Sequence, residues 1–159
     1  MQVIICLKFK IMEIIIRKFK QNDKSEILKM MTEFYSSNAV STNGSIEIFE
    51  KDFDECIKNS SYLEGYVFIE NSSILGYAML AKSFSTEFGK PCIWFEDLYL
   101  KPKYRGKGIV TKFIYHIKEN YKNHVFKLEV EDYNEHAMHI YKKCGFEKLP
   151  YSEMILKNY

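Results

Sequence analysis

The stretch Ile93–Val110, IWFEDLYLKPKYRGKGIV, constrains this chain more than any other. A nearly continuous apolar run carries two adjacent acids, Glu96 and Asp97, and stops at Pro102. Such runs read as strands covered on both faces, so Cys92–Leu100 belongs near the middle of a sheet. Next comes Arg105-Gly106-Lys107-Gly108, then Ile109, Val110, Phe113, Ile114, Ile117 and Tyr121 at helical spacing. The order is strand, basic glycine turn, helix. Glycine at 106 and 108 permits unusual dihedrals and close approach of a ligand. The unpaired N–H groups that open the helix, aided by its dipole, attract a diphosphate. Thr111 can add a hydroxyl. The turn is neither a Walker loop nor a dinucleotide fingerprint, since GxxxxGK[ST] and GxGxxG are both absent. A lone GxG is weak evidence; its place between a central strand and an amphipathic helix gives it weight.

The flanking elements follow from periodicity. Glu13–Lys18 is isoleucine-rich and reads as the first strand. Ile27, Leu28, Met31, Phe34 and Tyr35 make a helix of about residues 25–37, and Phe49, Phe53, Cys56 and Ile57 a second over 49–59. The polar loop between them, together with the second helix, suits a substrate rim. Gly65–Glu70 and Ile74–Ala81 form a hairpin across Asn71-Ser72-Ser73, and 83–91 reads as a loop. Val125–Val130 is a further strand, Asn134–Cys144 a helix, and Phe146–Leu149 with Glu153–Leu156 a closing hairpin. The sum is one α/β domain: a mixed, mostly antiparallel sheet of about seven strands with helices on both faces. The domain is expected over 12–159, with residues 1–11 a dispensable arm. That arm is too short and too often broken by lysine to cross a membrane.

Composition narrows the function classes. A formal net charge of +2 over 159 residues argues against nucleic acid as a partner. Cys6, Cys56, Cys92 and Cys144 show no metal spacing, and Cys92 and Cys144 lie on apolar faces. His136 and His139 stand three apart, but without an acidic third ligand in register they read as a solvated helix face. No metal is expected. Free thiols without a secretory framework suggest the cytoplasm.

A second block, Asn134–Phe146 (NEHAMHIYKKCGF), completes a resemblance. With Arg105, Gly106, Lys107, Gly108, Ile109 and Val110 it resembles the GCN5-related N-acetyltransferase superfamily, whose acyl-CoA loop reads Arg/Gln-x-x-Gly-x-Gly/Ala. Val110 departs from the usual small residue, but a backbone N–H survives that change. The resemblance covers about residues 13–157 and implies an acetyl-CoA-dependent N-acetyltransferase. It implies diphosphate binding by the N–H groups of Gly106–Val110 with Thr111, assisted by Arg105 and Lys107. The backbone of Leu98, Tyr99 and Leu100 would hold the acetyl carbonyl and the pantetheine arm, with the Leu98 N–H as oxyanion donor. Asn134 would lie near that arm, and Tyr141 would protonate the departing sulfur. The Leu-Glu-Asp pattern of the strand is similar to the diamine acetyltransferases, which puts a base at Glu96, acting through water. Alternation along a flat strand sends Glu96 and Asp97 to opposite faces, leaving Asp97 structural.

The acceptor stays open at this level. A small amine is the first reading, with Tyr35, Glu33, Glu47, Glu50 and Glu87 as an acidic mouth. Acetylation of protein lysines or N-termini is a second, and a non-catalytic acyl-CoA-binding module a third. The Ile/Phe-rich stripes could accommodate a homodimer.

Overall fold

A computed structural model describes residues 13–40, 42 and 44–158. The expected arm, 1–11, lies outside the described residues. Five strands form one sheet in sequential order: β1 (Ile15–Lys18), β2 (Leu63–Glu70), β3 (Ser73–Ser85), β4 (Lys90–Leu100) and β5 (Val125–Leu128). The first three pairings are antiparallel and β4–β5 is parallel. The parallel pair requires a crossover, supplied by the helix that the 109–121 stripe predicts.

Helices α1 (Lys24–Tyr35) and α2 (Ile46–Ile57) cover one face. Their apolar stripes, Ile27, Met30 and Met31 with Phe49 and Phe53, pack on Val67, Tyr77, Met79 and Tyr99. The other face carries α3 (Ile109–Asn120) and α4 (Glu135–Lys143). There Phe113, Ile114 and Ile117 pack on Tyr66, Phe68, Leu80, Ile93 and Phe95, with Ile140 and Tyr141 of α4 at the margin. Each apolar stripe lies where the 3.6-residue period puts it.

Two expectations differ from the structure. The segment read as a loop over 83–91 is mostly strand, because Ser83, Phe84 and Ser85 pair with Cys92, Pro91 and Lys90. Backbone pairing overrides a polar composition here, and the turn shrinks to 86–89. The closing hairpin is not formed: 146–149 and 153–156 carry no strand, so the described residues give five strands rather than about seven. Met154, Ile155 and Leu156 are 80–94% exposed. Strand propensity expresses itself only against a paired neighbour and a covered face, and among the described residues this segment has neither.

Candidate active site

The site begins with an irregularity in β4. Pairing with β3 runs Leu80–Phe95, then Met79–Asp97, so Glu96 has no partner across the ladder. This is a β-bulge, one extra residue that breaks the alternation. Ile93 and Phe95 face the α3 core before it, and Leu98 and Leu100 face that same core after it. Asp97 therefore joins Tyr99 on the α1–α2 side. Glu96 stands beside it, close enough for its charge to bear on Asp97 and on Tyr35. The bulge thus overturns the expectation of opposite faces.

Beyond the bulge β4 also loses its other neighbour. The β4–β5 ladder ends at Phe95–Leu128. The Lys101 N–H donates to the Leu75 carbonyl at 2.9 Å, which marks that opposed pair as hydrogen-bonded. Antiparallel pairs alternate, so Tyr99 and Asp97 also spend their backbone groups on β3. The groups of Leu98 and Leu100 point the other way, into the gap that β5 leaves. Arg105 Nε donates to the Leu100 carbonyl at 2.9 Å and so braces the turn against the strand end. The N–H groups of Leu98 and Leu100 remain in the gap. Tyr99 does not: its ring faces α1, and its hydroxyl donates to Glu33.

The gap leads to the glycine turn. Gly106 and Gly108 both have φ +74°, and beyond their chain neighbours no atom lies within 4 Å of where a Cβ would stand on either. A side chain there would be strained by the backbone, and the space above is open. The first bond of α3 runs from the Lys112 N–H to the Gly108 carbonyl at 3.0 Å. The N–H groups of Gly108, Ile109, Val110 and Thr111 precede that ladder and carry the positive helix end. Ile109 is buried and Val110 packs on the same core, so both side chains turn away from the turn's open side. Lys107 and Lys103 flank the Tyr104 ring at 5.3 and 4.9 Å. Geometry and donor set fit a diphosphate.

Residues 26–146 match the profile of the acetyltransferase (GNAT) family. The chain belongs to that family. A thialysine N-epsilon-acetyltransferase of Sus scrofa is 30% identical, with 88% of each chain covered. A spermine/spermidine N(1)-acetyltransferase of Bacillus subtilis is 25% identical, covering 86% of this chain and 89% of its own. In fold, a possible acetyltransferase from Clostridium difficile superposes with a TM-score of 0.76 at 19% identity, over 92% of this chain and 98% of that one. The chain is an acetyl-CoA-dependent N-acetyltransferase.

The acetyltransferase's remaining candidates sort by environment. Tyr141 is half-buried, and its ring meets Phe146 at 6.0 Å. Burial pushes its phenol up to about 12, so it stays protonated at neutral pH. Asn134 caps α4, its side-chain oxygen accepting from the Ala137 N–H at 3.2 Å. Cys92 and Cys144 are core, and His136 and His139 are exposed. Among the described residues no group of three or more His, Cys, Asp or Glu could hold a metal, and no helix is long and apolar enough to cross a membrane.

The acids differ from the expected mouth. Glu33, Glu47, Glu50 and Glu87 are exposed, and Glu87 accepts from the Tyr151 hydroxyl at 3.2 Å. The carboxylates that influence one another are Glu96, Asp97, Asp52, Glu129 and Glu153. Glu96 is exposed to solvent, and partial desolvation raises it first, then the charges of Glu153 and Asp52. Desolvation, and then the hydrogen bond that protonated Glu129 donates to Glu153, lift Glu129 to about 7. Asp52 was legible in principle, since it lies inside the Phe49–Phe53–Cys56 stripe. Glu129 and Glu153 carry no such signal, because only the fold brings them to Glu96.

Proposed function

We propose that this acetyltransferase acts on a small amine bearing more than one positive charge. The observation that carries the reading is the acid cluster: among the described residues, none of its five carboxylates makes an ion pair. Like charges held this close raise one another's proton affinity and favour a cation brought from outside. The relatives named for thialysine and for spermine and spermidine support the same class.

In this reading the N–H groups of Gly106–Thr111 bind the coenzyme A diphosphate, with Lys107 adding charge and Arg105 bracing the turn. The N–H groups of Leu98 and Leu100 hold the thioester carbonyl and the pantetheine arm, Leu98 as oxyanion donor. Asn134 offers its remaining amide N–H groups to that arm. Glu96 takes the ammonium proton through water, and Tyr141 donates its own to the leaving sulfur. The acting domain is 12–159, with 1–11 dispensable. The unpaired thiols of Cys56, Cys92 and Cys144 support a cytoplasmic setting. The exposed Met154, Ile155 and Leu156 support a homodimer.

The test is an acetyl-CoA thiol-release screen over polyamines, aminoglycosides, amino acids and lysine peptides. Small polycationic amines should give the highest kcat/KM. Turnover confined to lysine peptides would overturn the acceptor assignment. Tyr141→Phe should keep acetyl-CoA affinity and lose about 10²-fold in turnover; unchanged turnover with chemistry rate-limiting would make Tyr141 a packing residue.

A further inference from the structure

We propose that Asp97 is a positioning residue: clamped between the Tyr35 and Tyr77 hydroxyls, it holds the β4 bulge that frees Glu96 from the ladder on the acceptor side. This rests on the reading of Glu96 as the base.

Asp97 is 2% exposed, yet no cation approaches it among the described residues. A buried carboxylate with only neutral partners is costly, and an apolar residue would pack there at less expense. What it offers instead is attachment. One oxygen accepts from the Tyr77 hydroxyl of β3 at 2.8 Å, the other from the Tyr35 hydroxyl at the end of α1 at 3.1 Å. Three elements meet at one carboxylate, directly beside the residue that has no partner across the ladder.

A bulge needs such a pin. Moving the extra residue along β4 flips the side chains that follow. With the bulge beyond Asp97, alternation would swing its carboxylate toward the α3 side, among Phe95, Leu98 and Phe113, where it would lose both phenols. Only the observed register serves both oxygens. That register leaves Glu96, on the acceptor side, out of the ladder and without a partner on β3.

The clamp also sets a charge. Around Asp97 stand Tyr35 of α1, Tyr77 of β3, Asp52 and Cys56 of α2, and Glu96 itself. Around Glu96 stand Asp52, Asp97, Glu129 and Glu153, all acids. Burial raises Asp97 to about 6 against the pull of its two phenols, so at neutral pH it is mostly an anion. An anion next to Glu96 makes Glu96 the stronger base.

The experiment is a cycle of Asp97→Asn, Glu96→Gln and the double variant, read as pH–rate profiles with acetyl-CoA affinity measured in parallel. Asp97→Asn should lose about tenfold in turnover, keep acetyl-CoA affinity within about twofold, and move the acid limb to lower pH. In the Glu96→Gln background it should add less than about threefold, because its effect passes through Glu96. An unmoved acid limb, or a full tenfold loss on the Gln background, overturns the proposal. If Asp97→Asn does not fold, Tyr35→Phe at the half-exposed end of α1 carries the same cycle, and parent-like turnover there overturns it too. Should Glu96→Gln alone leave the profile unchanged, the base reading fails. If Glu96→Gln moves it and Asp97→Asn does not, only the positioning role fails.

Discussion

Glu64 and Asp97 are both buried carboxylates, one on each face of the sheet, and they are treated in opposite ways. Glu64, on the α3 side of β2, accepts from Lys18, Tyr66 and Tyr121 and forms an ion pair with Lys82 at 2.7 Å. Burial alone would raise it, but the bonds from Lys82, Tyr121, Tyr66 and Lys18 bring it down to about 2. Asp97, on the α1–α2 side of β4, has two phenols and, among the described residues, no cation, and burial carries it up to about 6. One carboxylate lowers the free energy of the fold; the other is kept in spite of it. The second stands beside the bulge and the open strand edge, where cost is tolerated for chemistry.

The largest expected effect is on the first. Glu64→Gln strands Lys18 and Lys82 without their anion and should cost about 3 kcal/mol at pH 7. The sign follows from the depressed value. Stability from Glu64 is fully present above its ordinary 4.5 and is lost as pH falls through about 2. Urea unfolding should therefore show a gap between parent and variant that narrows as pH falls from 4.5 toward 2. A gap independent of pH would mean that packing, not charge, is what Glu64 supplies.

The phenols sharpen the comparison at a smaller scale. Tyr66 donates to Glu64 at 2.7 Å and Tyr77 to Asp97 at 2.8 Å, so the two bonds are alike in length. Their loss should not be alike. Tyr66→Phe leaves Glu64 with Tyr121 and two lysines and should cost about 1 kcal/mol or less. Tyr77→Phe leaves one oxygen of a sealed carboxylate without a donor and should cost about 2 kcal/mol. Equal losses in urea unfolding would show that the two carboxylates are equally well supplied.

The sequence makes one side of this contrast more readable than the other. The RGKG turn, the α3 stripe and the strand before them are local patterns, and the structure forms all three. The bulge is not local: it depends on which β3 residue faces which β4 residue, and no feature of WFEDLYL marks Glu96 as the extra one. Everything downstream of it was hidden for that reason, including the shared face of Glu96 and Asp97. The alternation that puts the Leu98 and Leu100 N–H groups in the gap depends on pairing in the same way. Tyr35 and Tyr77 are two of twelve tyrosines and gain meaning only when the fold brings both to Asp97. The tail failed in the other direction, since Met154–Leu156 has strand composition but, among the described residues, no neighbouring strand to pair with.

The smallest expected effect is on stability in Asp97→Asn, and its sign decides the comparison. Asp97 is raised above its ordinary 3.8, so its contribution runs opposite to that of Glu64. Above about 6 the buried anion destabilises the fold. As pH falls from there toward 3.8 the folded state takes up a proton first, and this group's penalty is relieved. The asparagine variant carries no such penalty at any pH, but its single side-chain oxygen cannot serve both phenols as the carboxylate does. A lost bond of about 1–2 kcal/mol then offsets a relieved charge of about 3 kcal/mol. At pH 7 the variant should unfold at a urea concentration equal to or slightly above the parent's. At pH 4.5 the parent, now protonated at Asp97, should match or overtake it. A variant that loses as much stability at pH 7 as Glu64→Gln would show that Asp97 is an ordinary structural anion, and the distinction between the two faces would be gone.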